Sequence, residues 1–330
     1  MRVKNFGSTN LKVSEIGLGC ARLGGILARN QARGESPLNL LQKAFDEGIN
    51  FFDTADMYTQ GESEILVGQA FHKKRDKVVI SSKGGYCLPT QRKLIARIKP
   101  LLRPLVRALG IKRENLPSAV AGTLTQDFSP RYLNAAVEAS LRRLKTDYLD
   151  LYQLHSPSQA MIASEEFAET LAILEQMKIQ GKIRYYGITV DSVDAALGCL
   201  CFPDISSIML PFGLLDLEAL DTFLAQAEAR NLAVIARGCF GGGLLNADLT
   251  HQQLQRKTSK WQQILTYRQL AEQHGRPLLE MALQFSLSIR PVTVTLLGMR
   301  TEAHLRANLA YLTAPPLSEA EARSLAGCSP

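Results

Sequence analysis

Four polar residues stand where apolar runs of this chain stop, and their types together could make a proton donor. Asp53 ends the run Ile49 to Phe52, and Tyr58 follows within a short loop. Lys83 closes Val78-Val79-Ile80-Ser81-Ser82, and His155 closes Leu149-Asp150-Leu151-Tyr152-Gln153-Leu154. A phenol is a weak acid with an ordinary pKa of about 10, so Tyr58 becomes reactive only where a neighbour favours its ionised form. An ammonium at Lys83 would do so, and a carboxylate at Asp53 would keep that ammonium charged and oriented. His155 could then hydrogen-bond a carbonyl oxygen or help relay the proton. Taken singly, each residue has an ordinary structural role: Asp53 as a cap or turn residue, Tyr58 as a half-buried aromatic, Lys83 as a loop charge, His155 as a strand-end histidine bonded to a carbonyl. Gathered at the C-terminal ends of successive strands, they match the face where parallel α/β barrels carry catalysis.

The elements needed to gather them are legible. Strand-like runs fall near residues 15–18, 49–53, 77–82, 148–154, 184–188, 206–210, 232–236 and 292–297, with helical patterns between most of them. Eight such units predict an α/β fold, a (β/α)8 TIM barrel. Ser36-Pro37 starts a helix that stops at Gly48, Ser129-Pro130 starts another, and Thr301-Glu302 opens the last barrel helix. The first twelve residues read as a hairpin turning at Gly7-Ser8-Thr9-Asn10. No Pro/Gly/Ser-rich linker and no internal repeat is present, so residues 1–330 are expected to form a single domain.

Two segments break the rhythm. The first, residues 84–127, is a long insertion after the third barrel strand, far beyond ordinary βα loops and of the length that usually serves function or is disordered. It carries Arg92, Lys93, Arg97, Lys99, Arg103, Arg107, Lys112 and Arg113 without an acidic residue between Gln91 and Arg113. It reads first as a lid; the alternatives are an amphipathic decoration on the barrel side or a membrane-surface anchor, which Pro100 and Pro104 disfavour. The second runs from Gly238 through Gly241-Gly242-Gly243 to about Lys260, and its glycines would let backbone amides approach an anion closely.

Composition narrows the class. The net charge of +7 belongs to the basic insertion, since charges elsewhere nearly balance, so a nucleic-acid partner is not expected. Six cysteines show no C-x-x-C pair and no zinc-ligand spacing, which fits thiols in a reducing compartment and no metal. With no apolar leader and no run long enough to span a bilayer, a cytoplasmic location is expected. None of the four polar side chains can carry hydride, so redox chemistry here needs a cofactor. Gly17-Leu18-Gly19 continues as Cys20-Ala21-Arg22 rather than as G-x-G-x-x-G, which argues against a Rossmann site.

Asp53, Tyr58, Lys83 and His155 in this order resemble the catalytic tetrad of the aldo-keto reductase superfamily. The likeness extends to Ser14-Glu15-Ile16-Gly17-Leu18-Gly19, to Gly181-Lys182-Ile183-Arg184 with Gly187, and to Leu297-Gly298 through Asn308. It implies a hairpin that plugs the barrel bottom and NADPH bound in extended form, with phosphates near the loops after strands seven and eight. The cofactor-binding candidates are then Gly19, Thr189, Met209, Arg237, Gly238, Gly298, Arg300, His304 and Asn308. Arg300 offers a guanidinium fork for a 2′-phosphate, the helix beginning near Glu302 offers free amides, and Asn308 could reach adenine. The alternative is that Arg300 and Arg306 are ordinary surface charges.

This chain departs from the best-known members of that family at several positions. Thr189-Val190 stands in place of Ser-Asn, Met209 in place of a carboxamide-binding Gln, Arg237 in place of a stacking Tyr, and His304 in place of an Arg at the adenine end. The expected activity is NADPH-dependent reduction of an aldehyde or ketone with Tyr58 as general acid. The alternatives are an NAD(P)-dependent aldose or lactol dehydrogenase with Tyr58 as base, and a non-catalytic nucleotide-sensing subunit.

Overall fold

The computed structural model describes residues 1–24, 36–87, 124–246 and 249–327. The chain opens with an antiparallel hairpin of β1 (Val3–Asn5) and β2 (Lys12–Ser14), Val3 opposite Ser14. The barrel strands are β3 (Ile16–Gly19), β4 (Phe51–Asp53), β5 (Val79–Gly84), β8 (Leu149–His155), β9 (Ile183–Thr189), β10 (Ser207–Pro211), β11 (Ala233–Arg237) and β12 (Val292–Leu297). They close in sequence order into an eight-stranded barrel. Neighbours run parallel, with Asp53 opposite Ser81 and Lys83 opposite Gln153. Every residue of β8 and β12 is buried, as expected of strands covered on both faces. The fold is the (β/α)8 TIM barrel that the alternation predicts.

β6 (Tyr86–Cys87) and β7 (Thr125–Gln126) form a separate antiparallel ribbon, Tyr86 opposite Gln126. It marks where the long insertion leaves and returns. The eight basic residues from Arg92 to Arg113 lie outside the described residues. Among the described residues, no helix is long and apolar enough to cross a membrane. Five cysteines, Cys20, Cys87, Cys199, Cys201 and Cys239, are free.

Two compact units make up the chain. One comprises Met1–Gly17, Ile188–Leu297 and Ala303–Pro330. Within it the amino-terminal hairpin lies against strand starts: a Cβ on Gly7, whose φ is +56°, would fall 2.6 Å from the Ala233 amide nitrogen. Lys4 Nζ also donates to the Val292 carbonyl at 2.9 Å. The same unit contains a helix, His251–Lys257, inside the glycine-led segment read as loop to about Lys260. Thr250 and Gln253 cap it reciprocally, and the Thr-x-x-Gln spacing was the available signal.

The other unit, Leu18–Gly187 with Gly298–Glu302, contains all four proposed catalytic residues. Ser36 precedes the helix Pro37–Asp46 with an extended backbone, but its side chain makes no capping bond. Ser129 does cap the helix Pro130–Leu144, its Oγ accepting from the Tyr132 amide at 3.3 Å. That helix meets Glu62–Phe71 backbone to backbone, since a Cβ on Gly68 would lie 2.5 Å from the Leu144 carbonyl oxygen.

Candidate active site

Lys83 is the centre of the cluster. It is 1% exposed, and its ammonium donates to Asp53 Oδ2 at 2.6 Å, to the Thr54 carbonyl at 2.8 Å and to Tyr58 Oη at 3.3 Å. Burial by itself would lower the lysine pKa, but the Asp53 charge, then Tyr58, outweigh it and hold the pKa above its ordinary value. Both neighbours thus favour the charged amine. Its three donors go to a carboxylate, a carbonyl and a phenol, an arrangement that fixes the ammonium against the Tyr58 hydroxyl.

The backbone explains how three short runs deliver these groups. β4 ends at Asp53, and the Thr54 amide crosses to the Ser81 carbonyl at 2.8 Å, after which the Asp56 amide reaches the Lys83 carbonyl at 3.1 Å. The loop after β4 is thus laced to β5 at two points before it presents Tyr58. Beyond Tyr58 the chain turns through Thr59 at φ +48° and Gln60 at φ +63°, then Gly61 at φ +86°. Left-handed conformations at two residues with side chains are costly. Thr59 offsets part of that cost with its hydroxyl, whose one proton lies between the Tyr58 carbonyl at 2.8 Å and the Leu23 carbonyl at 3.1 Å.

His155 ends β8, 8% exposed, with its ring edge-on to Tyr58 at 5.7 Å between centroids. Tyr86, first residue of β6, closes on the same imidazole from another direction, 4.9 Å away and 81° to its plane. Gln126 from β7 donates its amide to the carbonyls of His155 and Ser156 at 3.0 and 2.7 Å. Both strands of the ribbon therefore brace His155.

The structure adds residues that the sequence reading missed. Ser81 donates to Asp53 Oδ1 at 3.0 Å, and Gln153 donates to Ser81 Oγ at 2.8 Å, with a longer 3.5 Å contact to Asp53 Oδ1. Ser81 precedes Lys83 by two residues and Gln153 precedes His155 by two. Period-two alternation puts each pair on one face of its strand, which is the signal that could have found them. Behind β5 lies a further polar group: Asp56, Glu64, Ser82, Tyr132, Arg143 and Tyr152. Glu64 is fully buried, accepting from Ser82 at 2.6 Å and Arg143 at 2.5 Å.

Of the cofactor candidates in the first unit, Thr189 and Met209 are buried and touch, the hydroxyl donating to Sδ at 3.7 Å. Arg237 is half-buried; its guanidinium donates to the Val190 carbonyl at 3.1 Å and pairs with Asp191. Its Nε is shut off from solvent with no hydrogen-bond partner among the described residues. Gly238, at φ +82°, Gly242 and Gly243 each face open space where a Cβ would sit. Asn308 is buried on the helix Glu302–Thr313, while His304 is exposed. In the other unit, Gly19 ends β3, Gly298 faces open space, and Arg300 is half-buried.

A closed parallel barrel thus brings together a carboxylate and an ammonium at strand ends and a phenol on the loop after β4. The chain belongs to the aldo/keto reductase family, whose model matches residues 15–330. It is 29% identical over 333 residues to the uncharacterized oxidoreductase YqkF of Bacillus subtilis (strain 168), covering 98% of this chain and 95% of that protein. It is 26% identical to the D-threo-aldose 1-dehydrogenase of a Pseudomonas species over 314 residues, 92% of this chain and 91% of that one. Among solved structures it resembles the holo form of aldo-keto reductase AKR11C1 from Bacillus halodurans, with a TM-score of 0.78 and 26% identity, covering 100% of this chain and 97% of that one.

Proposed function

We propose that the protein reduces the carbonyl group of a small aldehyde or ketone with NADPH, using Tyr58 as general acid. The observation that carries this reading is the Lys83 ammonium held between Asp53 at 2.6 Å and the Tyr58 hydroxyl at 3.3 Å. Tyr58 gives its proton to the carbonyl oxygen as that oxygen gains charge, and Lys83 stabilises the phenolate left behind. Asp53 keeps Lys83 charged and aimed, while Ser81 and Gln153 hold the carboxylate in place. His155, braced by Tyr86 and Gln126, orients the carbonyl oxygen toward Tyr58.

Residues present in this chain fit a nicotinamide dinucleotide at its anionic portion. The partnerless, buried Arg237 Nε and the open space above Gly238, Gly242 and Gly243 are what a bound anion would use. Gly19, Thr189, Met209, Arg237, Gly238, Gly298, Arg300, His304 and Asn308 would hold the cofactor, with Arg300 recognising the 2′-phosphate that separates NADPH from NADH. When bound, it supplies the hydride that no side chain here can provide. Met209 offers only dispersion contact where a carboxamide would want paired hydrogen bonds. The single-domain reading and a cytoplasmic location are held as parts of the same proposal.

The relative named as an aldose dehydrogenase favours one second reading. The same groups run in reverse would oxidise the anomeric carbon of a free sugar, with the Tyr58 phenolate as base. Titration with NADPH and NADH by fluorescence, followed by turnover assays with a panel of aldehydes and free aldoses, tests both. The reductase reading expects NADPH binding that Arg300→Ala weakens, and a loss of about 10²–10⁴-fold in kcat for Tyr58→Phe with binding retained. Turnover confined to aldoses with oxidised cofactor would select the dehydrogenase. Binding without turnover of any substrate would reject both in favour of a sensing role.

A further inference from the structure

The loop that presents Tyr58 carries an acidic residue that the mechanism above does not use. Asp56 lies three residues past Asp53 and two before Tyr58, tied by its amide to the Lys83 carbonyl at 3.1 Å. Its Oδ2 lies 3.2 Å from the Tyr132 hydroxyl, and that hydroxyl lies 2.8 Å from the Tyr86 carbonyl oxygen. A phenol has one proton to donate, and a carbonyl can only accept. The shorter contact assigns the Tyr132 proton to Tyr86. The Tyr132 oxygen is then free to accept, from Asp56 where that carboxyl carries a proton, with the Cys87 thiol facing the same hydroxyl.

The groups facing Asp56 divide: burial and the Glu64 carboxylate favour the neutral acid, while Arg143 and the Met57 amide favour the carboxylate. Its Oδ1 is shut off from solvent and has no partner among the described residues. From the helix Glu62–Phe71 it faces the Glu64 carboxylate, and from Pro130–Leu144 it faces Tyr132 and Arg143, whose guanidinium is already committed to Glu64. From β8 it faces Tyr152, whose buried hydroxyl also has no partner among the described residues. Gly84 makes room for both: a Cβ there would lie 2.0 Å from the Tyr152 hydroxyl and 3.5 Å from Asp56 Oδ2. Burial first, then the Glu64 charge, push the Asp56 carboxyl up to about 7 against Arg143, a bond donated by Tyr132 and the Met57 amide, and a Tyr132 proton committed to Tyr86 removes one of those opponents.

We propose that Asp56 is a positioning residue held as a neutral carboxylic acid, which links the Tyr58 loop through Tyr132 to the Tyr86 backbone and so to the ring packed on His155. The step is a single proton exchange with solvent. When Asp56 ionises, Tyr132 turns its proton from the Tyr86 carbonyl to the carboxylate, and the tether between the Tyr58 loop and β6 is cut. Ionisation thereby loosens His155 relative to Tyr58. The effect on turnover rests on the proposed role of Tyr58, but the protonation state and the tether do not.

Three readings of wild type, Asp56→Asn and Tyr132→Phe test the proposal, since the Asn amide can donate to Tyr132 at every pH. Carbon-13 NMR of aspartate-labelled protein should show one carboxyl titrating near neutrality, absent from Asp56→Asn; a wild-type spectrum with every carboxyl titrating in the ordinary acidic range overturns the proposal. Amide exchange at residues 54–58 and 84–86, corrected for its intrinsic pH dependence, should rise in wild type between about pH 6 and about pH 8. It should stay low in Asp56→Asn and be high throughout in Tyr132→Phe; the same pH response in all three overturns the tether. With an active carbonyl substrate, wild-type kcat/KM should fall about fivefold between about pH 7 and about pH 8, and Asp56→Asn should lack that limb. Absence of turnover in every variant would count against the proposed function, while the spectra and exchange rates would still decide this inference.

Discussion

At the scale of single residues, the proposed proton donor depends on burial being matched by partners. Lys83 is as buried as any leucine of the core, and it is tolerated because all three of its protons are taken. Met209 is the opposite case, a buried thioether whose sulfur accepts one long contact from Thr189 and can donate nothing. Met209→Gln is expected to tighten nicotinamide cofactor binding by about one hydrogen bond, on the order of 1 kcal/mol or roughly fivefold in Kd, read by fluorescence titration. Asp56 has a stability consequence of its own. Its folded pKa is raised, so the native protein keeps a proton that the unfolded chain releases. Its contribution is fully present below about pH 4, falls away as pH rises, and is gone above about pH 7, on the order of 4 kcal/mol in all. Chemical denaturation across that range should show a decline in wild type that Asp56→Asn flattens. The proposed catalytic positions Asp53, Lys83 and His155 stand out in the sequence because each ends a strand-like run, and Tyr58 because it follows Asp53 within a short loop. Asp56 could not, since nothing local reports that Glu64, Tyr132 and Tyr152 converge on it from three other elements.

At the scale of elements, strand starts and ends were readable to within a few residues, because continuous buried runs bounded by polar residues are what a parallel barrel requires. The close approaches were not readable. Gly84 extends β5 one residue past Lys83, and its missing side chain is what admits the Tyr152 hydroxyl. Gly84→Ala is expected to cost about 1–3 kcal/mol through overpacking. Adding Tyr152→Phe should recover part of that loss, because it removes the clashing oxygen. Tyr152→Phe alone is expected to be neutral or slightly stabilising, since the hydroxyl it deletes is buried without a partner among the described residues. A thermal-melt double-mutant cycle gives the coupling; strictly additive effects would mean that the hydroxyl is not what Gly84 accommodates.

At the scale of the whole molecule, the chain divides into two compact units by its contacts, yet all eight barrel strands belong to one closed sheet. Strand β9 begins in one unit and finishes in the other, so neither unit holds a complete set of strands. One cooperative thermal transition is therefore expected, with calorimetric and van 't Hoff enthalpies equal. Two resolved transitions would give the units separate stabilities and would end the single-domain reading. The barrel itself was legible from its alternation, which is a property of the whole chain and survives errors at any one strand. The ribbon of β6 and β7 was not legible, being two residues long on each side and about forty residues apart in sequence.

That ribbon has a practical corollary. Both ends of the insertion are pinned by the same two residue pairs, and Gln126 fastens the returning end to β8. Closure entropy grows only slowly with loop length, by about 0.6 kcal/mol per doubling. The sequence between Cys87 and Thr125 is thus a cassette with fixed terminals. A change of length between these two ends is expected to leave the pairing of β6 with β7 and its tie to β8 in place.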